Sequence, residues 1–299
     1  MDLKILDSWL KDYLKTKAKP NKIAECLSLC GPSFERLHKI NKDVIDDVEV
    51  TTNRTDTASH YGIAREAVAI LPRFGIKAEL QPIKASKLNK ATLCSIVPWL
   101  DVEIDYKLCP RFSAILIRNV KIKNSPEEIK GRLTAVGLRP INNIVDISNY
   151  LMLDLGQPVH TFDYDKIGGQ KMILRSAKKG EKIITLDGQT QQLPGGDILI
   201  EDGTGKLIDL CGIMGAKNSA IDSSTKNVLL FVQTYSPTYI RKTSMSLSKR
   251  SSASSLFEKG IDPELVELTI RKGIEMFVDL TQGKPEKEKI GTVIKVNLE

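Results

Sequence analysis

The residues best equipped for chemistry lie between Arg139 and Ile167, where His160 stands in QPVHTFDYDKI with Asp163 and Asp165 close behind it. Ser148 and Asn149 precede it in NNIVDISNYLMLDLG, close enough along the chain to meet it across a turn. A histidine beside a hydroxyl and an amide can orient a water molecule or hold a polar ligand. The plainer reading is a structural histidine with its hydrogen bonds satisfied, the commoner state of a lone histidine. The same stretch interleaves Asn142, Asn143, Asp146 and Gln157 with apolar residues. Polar groups placed so closely among core residues must find hydrogen-bond partners, which is how pockets are built.

Two further stretches carry polar chemistry. Asn53 to Gly62, NRTDTASHYG, opens onto the amphipathic pattern IAREAVAILPRFG. It reads either as a loop in which Thr57 or Ser59 caps the helix, or as a site where Asn53, Arg54 and Asp56 bind another chain or a phosphate. RKTSMSLSKRSSASSLFEKG (241–260) sets Arg241, Lys242, Lys249 and Arg250 among serines, either a solvated flexible face or a contact to a phosphate backbone. GxGxxG, GxxxxGK[ST], HExxH and GxSxG are absent, so dinucleotide, phosphate-loop, zinc-protease and nucleophile-elbow chemistry lack their residues. Cys26, Cys30, Cys94, Cys109 and Cys211 form no CxxC pair, which favours buried thiols over a zinc site.

The elements that must position these residues follow from periodicity. Ile5, Trp9, Leu10 and Tyr13 predict a short helix over 5–15, and Ile23, Cys26, Leu27 and Cys30 a second one ended by Gly31 and Pro32. DVIDDVEVTT (43–52) alternates as a strand. SPEEIKGRLTAVG predicts a helix with Ser125 as cap and Pro126 in its first turn. Ile144, Ile147, Leu151 and Leu155 predict a helix of about four turns that Gly156 ends, and Pro158 then holds the His160 segment extended. Residues 171–234 read as short strands with an Asp187-Gly188 hairpin, and the last third as helices, one starting at Asp262 and Pro263. The lysine-rich aperiodic stretch 75–90 is the predicted domain boundary.

Length suits two domains, and 41% hydrophobic with 27% charged residues is an ordinary globular composition. Lys and Arg exceed Asp and Glu by 44 to 37, which permits an anionic partner such as RNA without demanding one. No window reaches the roughly 18 apolar residues of a membrane span, and the N-terminus has no secretory pattern. With an odd number of cysteines, the expectation is a cytoplasmic protein with no membrane contact. The tail GKPEKEKIGTVIKVNLE ends in an edge-strand pattern that nothing closes off, suggesting that more chain follows.

Seven separated runs, SWLKDYL, DVEVTTNRTDTASHYGIAREAVAI, RPINNIVDISNYLMLDLGQPVHTFDYDKI, TLDGQ, LCGIMG, SPTYIRKTS and FEKGIDP, together resemble the N-terminal part of the bacterial-type phenylalanyl-tRNA synthetase β subunit. They stand in the family's order and cover nearly the whole chain. The resemblance implies an α+β fold: a small helical and strand N-terminal domain at about 1–85, a mixed α+β editing domain with mainly antiparallel strands at 90–283, and a linker at 284–299 leading to a possible downstream region. It implies a heterotetramer with an α subunit that attaches phenylalanine to tRNA using ATP and magnesium. No cofactor or metal is then expected in this portion itself. Partner or RNA contacts would fall on Asn53, Arg54 and Arg65.

In the family the editing domain hydrolyses tyrosine wrongly attached to the phenylalanine tRNA. The resemblance places the motif histidine on His160 and the helix hydroxyl on Ser148, the two residues that would orient water or substrate. It places the neighbouring amide on Asn149 and the small-residue turn on Cys211 and Gly212, with the Gly212 backbone near the developing oxyanion. The acidic residue that accepts the tyrosine hydroxyl falls on Phe231 in NVLLFVQTY, and two charged positions of a later motif read Ser252 and Leu256. The family's inserted tRNA-binding OB-fold is also missing, because Phe34 to Val48 runs straight through. A hydroxyl buried without its acceptor costs about 1–3 kcal/mol, roughly one to two decades in binding. The expectation is an editing-domain scaffold with weakened or lost hydrolysis of mischarged tyrosyl-tRNA. The alternatives are an assembly and tRNA-positioning module, or a free-standing aminoacyl-tRNA deacylase.

Overall fold

The computed structural model describes residues 1–40, 43–86, 93–94, 97–286 and 290–294. Its first part comprises β1 (Asp2–Leu6), α1 (Asp7–Leu10), β2 (Leu14–Thr16), α2 (Pro20–Cys30), β3 (Ser33–Ile40), β4 (Asp43–Glu49), α3 (His60–Ile70) and β5 (Ala78–Leu80). The helix expected over 5–15 is therefore a strand, one helical turn and a second strand. Ile5 and Leu6 are drawn into β1 because β4 pairs with it antiparallel from Asp2 to Leu6, and that pairing outweighs local helical spacing. The spacing still marked the inward side, since Ile5, Trp9, Leu10 and Tyr13 are all buried. β3 completes a three-stranded sheet in the order β1-β4-β3. Ser59 caps α3 by accepting the Gly62 N–H at 2.9 Å, as one of the two proposed caps requires.

The chain continues through β6 (Leu93–Cys94), β7 (Asp101–Ile104), β8 (Arg111–Arg118), α4 (Glu127–Ala135), α5 (Asn143–Leu155) and β9 (Val159–Asp163). Next come β10 (Lys171–Ser176), β11 (Lys182–Ile184), β12 (Thr190–Gln192), β13 (Ile198–Asp202), β14 (Leu207–Leu210), β15 (Met214–Gly215) and β16 (Val228–Thr234). The last elements are α6 (Pro237–Ser246), α7 (Ser252–Phe257), α8 (Leu265–Thr281), β17 (Lys284–Pro285) and β18 (Ile290–Ile294). One sheet has the order β15-β14-β13-β10-β7, and a second the order β6-β18-β8-β16-β9 with β17 also on β8. Among the described residues only β7–β10 and β6–β18 pair parallel, so the fold is α+β with mainly antiparallel strands.

β16 runs between β8 and β9, and its alternation divides the core into two sides. Val228, Leu230 and Val232, with Ile115 and Ile117 of β8, pack against Ile144, Ile147, Leu151 and Leu155 of α5 and Ile270, Ile274 and Phe277 of α8. Leu229 and Phe231 project to the other side with Phe112, Ala114, Leu116 and Phe162. α5 begins where the Asn142 side chain accepts the N–H groups of Ile144 and Val145, each at 3.0 Å. It ends at Gly156, whose φ of 80° is left-handed and suits glycine.

The polar residues interleaved in this stretch mostly build the fold. Asn143 donates to the carbonyls of Lys121 and Leu280, Asp146 accepts from the Ser125 hydroxyl and the Ile141 N–H, and Gln157 donates to the carbonyls of Pro158 and Gln233. Ser125 therefore does not cap α4, whose N-cap position is Pro126. Asp262 and Pro263 likewise precede α8, where Asp262 accepts the Glu264 N–H in a turn that leads in. The 241–260 run is more ordered than its composition suggests. Ser251 and Ser254 form a reciprocal capping box on α7, Lys249 pairs with Asp187 at 2.6 Å, and Arg250 pairs with Glu258 at 2.7 Å.

The N-terminal elements are tied to α5 through one buried carboxylate. Asp154 is fully buried and accepts from Trp9 Nε1 at 2.7 Å, from the Tyr13 hydroxyl at 2.7 Å, and from Lys272 Nζ of α8. His60, also fully buried, stacks on Trp9 with ring centroids 4.0 Å apart. Its Nε2 accepts the Leu6 N–H and its Nδ1 lies 2.9 Å from the Leu153 carbonyl, so Nδ1 carries the proton and the ring is neutral. Burial lowers its pKa to about 4. Asp154→Ala would strand two buried donors and an ammonium, and should destabilise the protein by about 3–5 kcal/mol. Denaturant unfolding checks this, and an unchanged midpoint would contradict it.

A second buried acid makes stability depend on pH. Burial above all, then Asp7 and Asp47, raise the Asp46 carboxyl from its ordinary value near 3.8 to about 7. The folded state therefore holds a proton that the unfolded chain releases, and this contribution to stability is lost as pH rises from about 4 through about 7, at most about 4 kcal/mol. Asp46→Asn should flatten the stability profile across that window. Parallel profiles for the two proteins would refute the assignment.

Candidate functional site

His160 lies on β9, an edge strand, and stands directly opposite Phe231 of β16 in the antiparallel register. Directly paired residues project from the same face, so the two side chains share the side of the sheet away from α5 and α8. His160 is half-buried and meets the Phe162 ring edge to face, with centroids 4.4 Å apart. Phe231 is only 1% exposed, stacked on Phe112 at 5.3 Å and set edgewise to Phe162 at 6.2 Å. This face presents three packed rings, those of Phe112, Phe162 and Phe231.

The opposing wall comes from the β14–β15 hairpin. Asp209 pairs in register with Gly215, and a Cβ on Gly215 would lie 2.5 Å from His160 Cε1. Only glycine lets this strand cover the imidazole so closely. Gly212, at the turn, has φ 69° and is walled by Ile240, Phe257 and Tyr235, so a side chain there would be strained and would collide. Burial pushes the Asp209 carboxyl up, opposed by the nearby His160. Burial also pushes the Cys211 thiol well up, and Asp209 adds to the rise. A thiol held in its neutral form is a poor nucleophile, so Cys211 belongs to the wall rather than to the chemistry.

The structure places His160 beside Phe231 and under Gly215 at the seam between the two larger sheets, whereas Gly212 packs on Ile240, Phe257 and Tyr235, and Cys211 is buried next to it in the chain. Ser148 and Asn149 sit half-buried on α5, whose apolar stripe packs on the other face of the β16 sheet. The Ser148 hydroxyl donates to the Ile144 carbonyl of its own helix at 3.4 Å, and among the described residues no hydrogen bond joins Ser148 or Asn149 to His160. Ser252 lies on α7, and Leu256 is buried beside it in the core.

Arg54 reaches inward, forking onto Asp56 through Nε and Nη2 at 2.9 Å each and onto Glu66 at 2.7 Å. Asn53 and Arg65 are exposed. Asp209, Gly215, Phe112 and Phe162 were not singled out in the sequence as parts of the site. Gly215 had a visible signal as the last residue of LCGIMG. Phe112 and Phe162 had none, because only strand pairing brings them beside Phe231. Among the described residues no group of three or more His, Cys, Asp and Glu side chains could hold a metal ion.

The B3/4 domain family matches residues 108–282, more than half of the chain. The phenylalanine-tRNA ligase beta subunit of Porphyromonas gingivalis is 35% identical over 257 residues, covering 84% of this chain and 30% of that protein. Those of Dehalococcoides mccartyi and Clostridium tetani are each 39% identical, over 81% and 85% of this chain and 29% and 32% of their own length. The chain therefore spans about three tenths of the length of the curated relatives it matches. A solved N-terminal fragment of the phenylalanyl-tRNA synthetase beta subunit from Pyrococcus horikoshii is 15% identical with a TM-score of 0.44, over 95% of this chain and 75% of that one, too weak a likeness to bear on fold or function. From residue 108 to 282 the match is to a single family, and this chain belongs to the B3/4 domain family.

Proposed function

We propose that this chain is the N-terminal, non-synthetic portion of a phenylalanine-tRNA ligase β subunit, and that its B3/4 domain is an editing scaffold in which hydrolysis of tyrosyl-tRNA is weak or lost. The observation that carries this is Phe231, buried between Phe112 and Phe162 opposite His160. A tyrosine hydroxyl brought to this face would exchange water for aromatic carbon, at about 1–3 kcal/mol relative to a site that pairs it. Residual hydrolysis would run through a water held at the half-exposed His160, with the ester carbonyl near the Gly212 turn and the tRNA's own terminal hydroxyl assisting. Aminoacylation itself, with ATP and magnesium, would belong to the α subunit of a heterotetramer working in the cytoplasm.

Two measurements test the reading. Tyrosyl-tRNA offered to the holoenzyme should be deacylated little faster than in buffer, and His160→Ala should change that rate by less than about threefold. Rapid deacylation abolished by His160→Ala would overturn the claim of decay. Phe231→Ala should cost about 3–5 kcal/mol in stability through the cavity it opens, without creating hydrolysis.

A second reading, assembly with the α subunit and placement of tRNA, draws on the exposure of Asn53 and Arg65. Arg65→Glu should weaken co-elution with the α subunit at unchanged unfolding temperature. Arg54→Ala should instead lower that temperature, because it breaks the forks to Asp56 and Glu66. If both variants fold and co-elute normally, the surface is not the interface.

A further inference from the structure

A groove of about 750 Å³ lies along β11 and the strands beside it, lined in part by Arg175, Lys178, Lys182, Lys206 and Lys217. Its two carboxylates, Glu181 and Glu201, are both engaged by the Arg175 guanidinium, Glu181 at 2.8 Å. That cluster is internally satisfied and stiffens the groove floor. The four lysines are exposed, and among the described residues none of them has an ion-pair partner. Five positive and two negative side chains line the groove, and the excess of three forms a local positive field concentrated on one face. Ile184, 52% exposed on the same strand, adds an apolar contact between the charges.

Another lysine-rich surface exists around Lys15, Lys17, Lys19, Lys22 and Lys77, where among the described residues only Lys17 and Lys19 have no ion-pair partner. Glu79 pairs with both Lys15 and Lys77, and Lys22 pairs with Glu25. The 241–260 run is similarly compensated at Lys249 and Arg250. The groove on β11 keeps all four of its lysines unpaired among the described residues, and it is the one of the three that adjoins His160 through Leu186 and Gly215.

Its position says what the charge is for. β11 leads into the hairpin whose Leu186 N–H donates to the Gly215 carbonyl at 3.0 Å, beside the His160 ring, and Thr185 bridges to Ala216. Lys217 follows directly after that bridge. A polyanion lying in the groove is thereby led to the seam where Leu186 and Gly215 lie against the His160 ring. We infer that this groove binds the phosphate backbone of an RNA whose 3′ end is directed toward His160. The identity of the polymer as RNA rests on the proposed function; the groove's affinity for it does not require any hydrolysis.

The test is equilibrium binding of fluorescent uncharged tRNA to the full chain across a salt series. Lys182→Glu/Lys206→Glu/Lys217→Glu should weaken binding at least tenfold and reduce the slope of log K against log salt by about 2 to 3, roughly one for each phosphate no longer neutralised. The charge-matched control Lys17→Glu/Lys19→Glu/Lys22→Glu should change affinity less than threefold. Equal weakening in both variants, or none in the groove variant, would overturn the inference. So would competition by polyglutamate as effective as by tRNA at equal charge concentration, which would mean that the groove reads charge alone. Failure of any of these leaves the deacylation result untouched, so the groove and the scaffold reading fall separately.

Discussion

A carboxylate shut away from water must be surrounded by donors, and Asp154 is surrounded by three from distant parts of the chain. Trp9 and Tyr13 come from the first turns of the protein, and Lys272 from its last long helix. α5 is therefore clamped between α8 and the α1 turn that carries Trp9 and leads to Tyr13, with His60 and Tyr150 both stacked on the Trp9 indole at 4.0 and 4.3 Å. Arg132 seals the edge by pairing with Asp12 at 2.6 Å and donating to the Tyr150 hydroxyl at 2.7 Å. Because α5 is held at its C-terminal end, Gly156 and the extended segment after it enter the sheet at one place. His160 inherits its register from that constraint.

Register then decides the site. In an antiparallel pair a shift of one residue would turn His160 toward α5 and Val159 toward the seam. With His160 opposite Phe231, the imidazole and the benzyl ring lie on one face, and Gly215 of β15 closes over the imidazole. The aromatic packing of Phe112, Phe162 and Phe231 supplies what an acid at position 231 would otherwise have to be compensated for in this apolar setting. The wall is built of packed rings, and position 231 offers no side-chain hydrogen-bond acceptor.

Much of this was legible from residue pattern. The α5 stripe of Ile144, Ile147, Leu151 and Leu155, its Gly156 end and the extended His160 segment were readable because they depend on local spacing and on backbone conformation near a glycine and a proline. The 5–15 segment reads as helix from its spacing because Ile5 and Leu6 suit helix and strand equally, and only the partner β4 decides between them. Ser125 looked like a helix cap, but its hydroxyl is taken by Asp146, twenty-one positions away. At the site, Phe231 could be set against His160 by resemblance of motifs. Phe112 and Phe162 could not, since nothing local ties either ring to position 231. The polar run around Asn143 suggested a pocket, whereas its partners are main-chain groups that fasten α5 to its neighbours.

Under the proposed function, the face shared by His160 and Phe231 gives a phenol no advantage over a bare ring. Calorimetric titration of the chain with two non-hydrolysable amide analogues of aminoacyl-adenosine, one carrying tyrosine and one phenylalanine, tests it most directly. The account predicts no preference for tyrosine, with the phenylalanine analogue bound equally or up to tenfold more tightly. Tyrosine bound tenfold or more tightly than phenylalanine would contradict it, and would mean that a polar partner for the hydroxyl lies elsewhere on this seam.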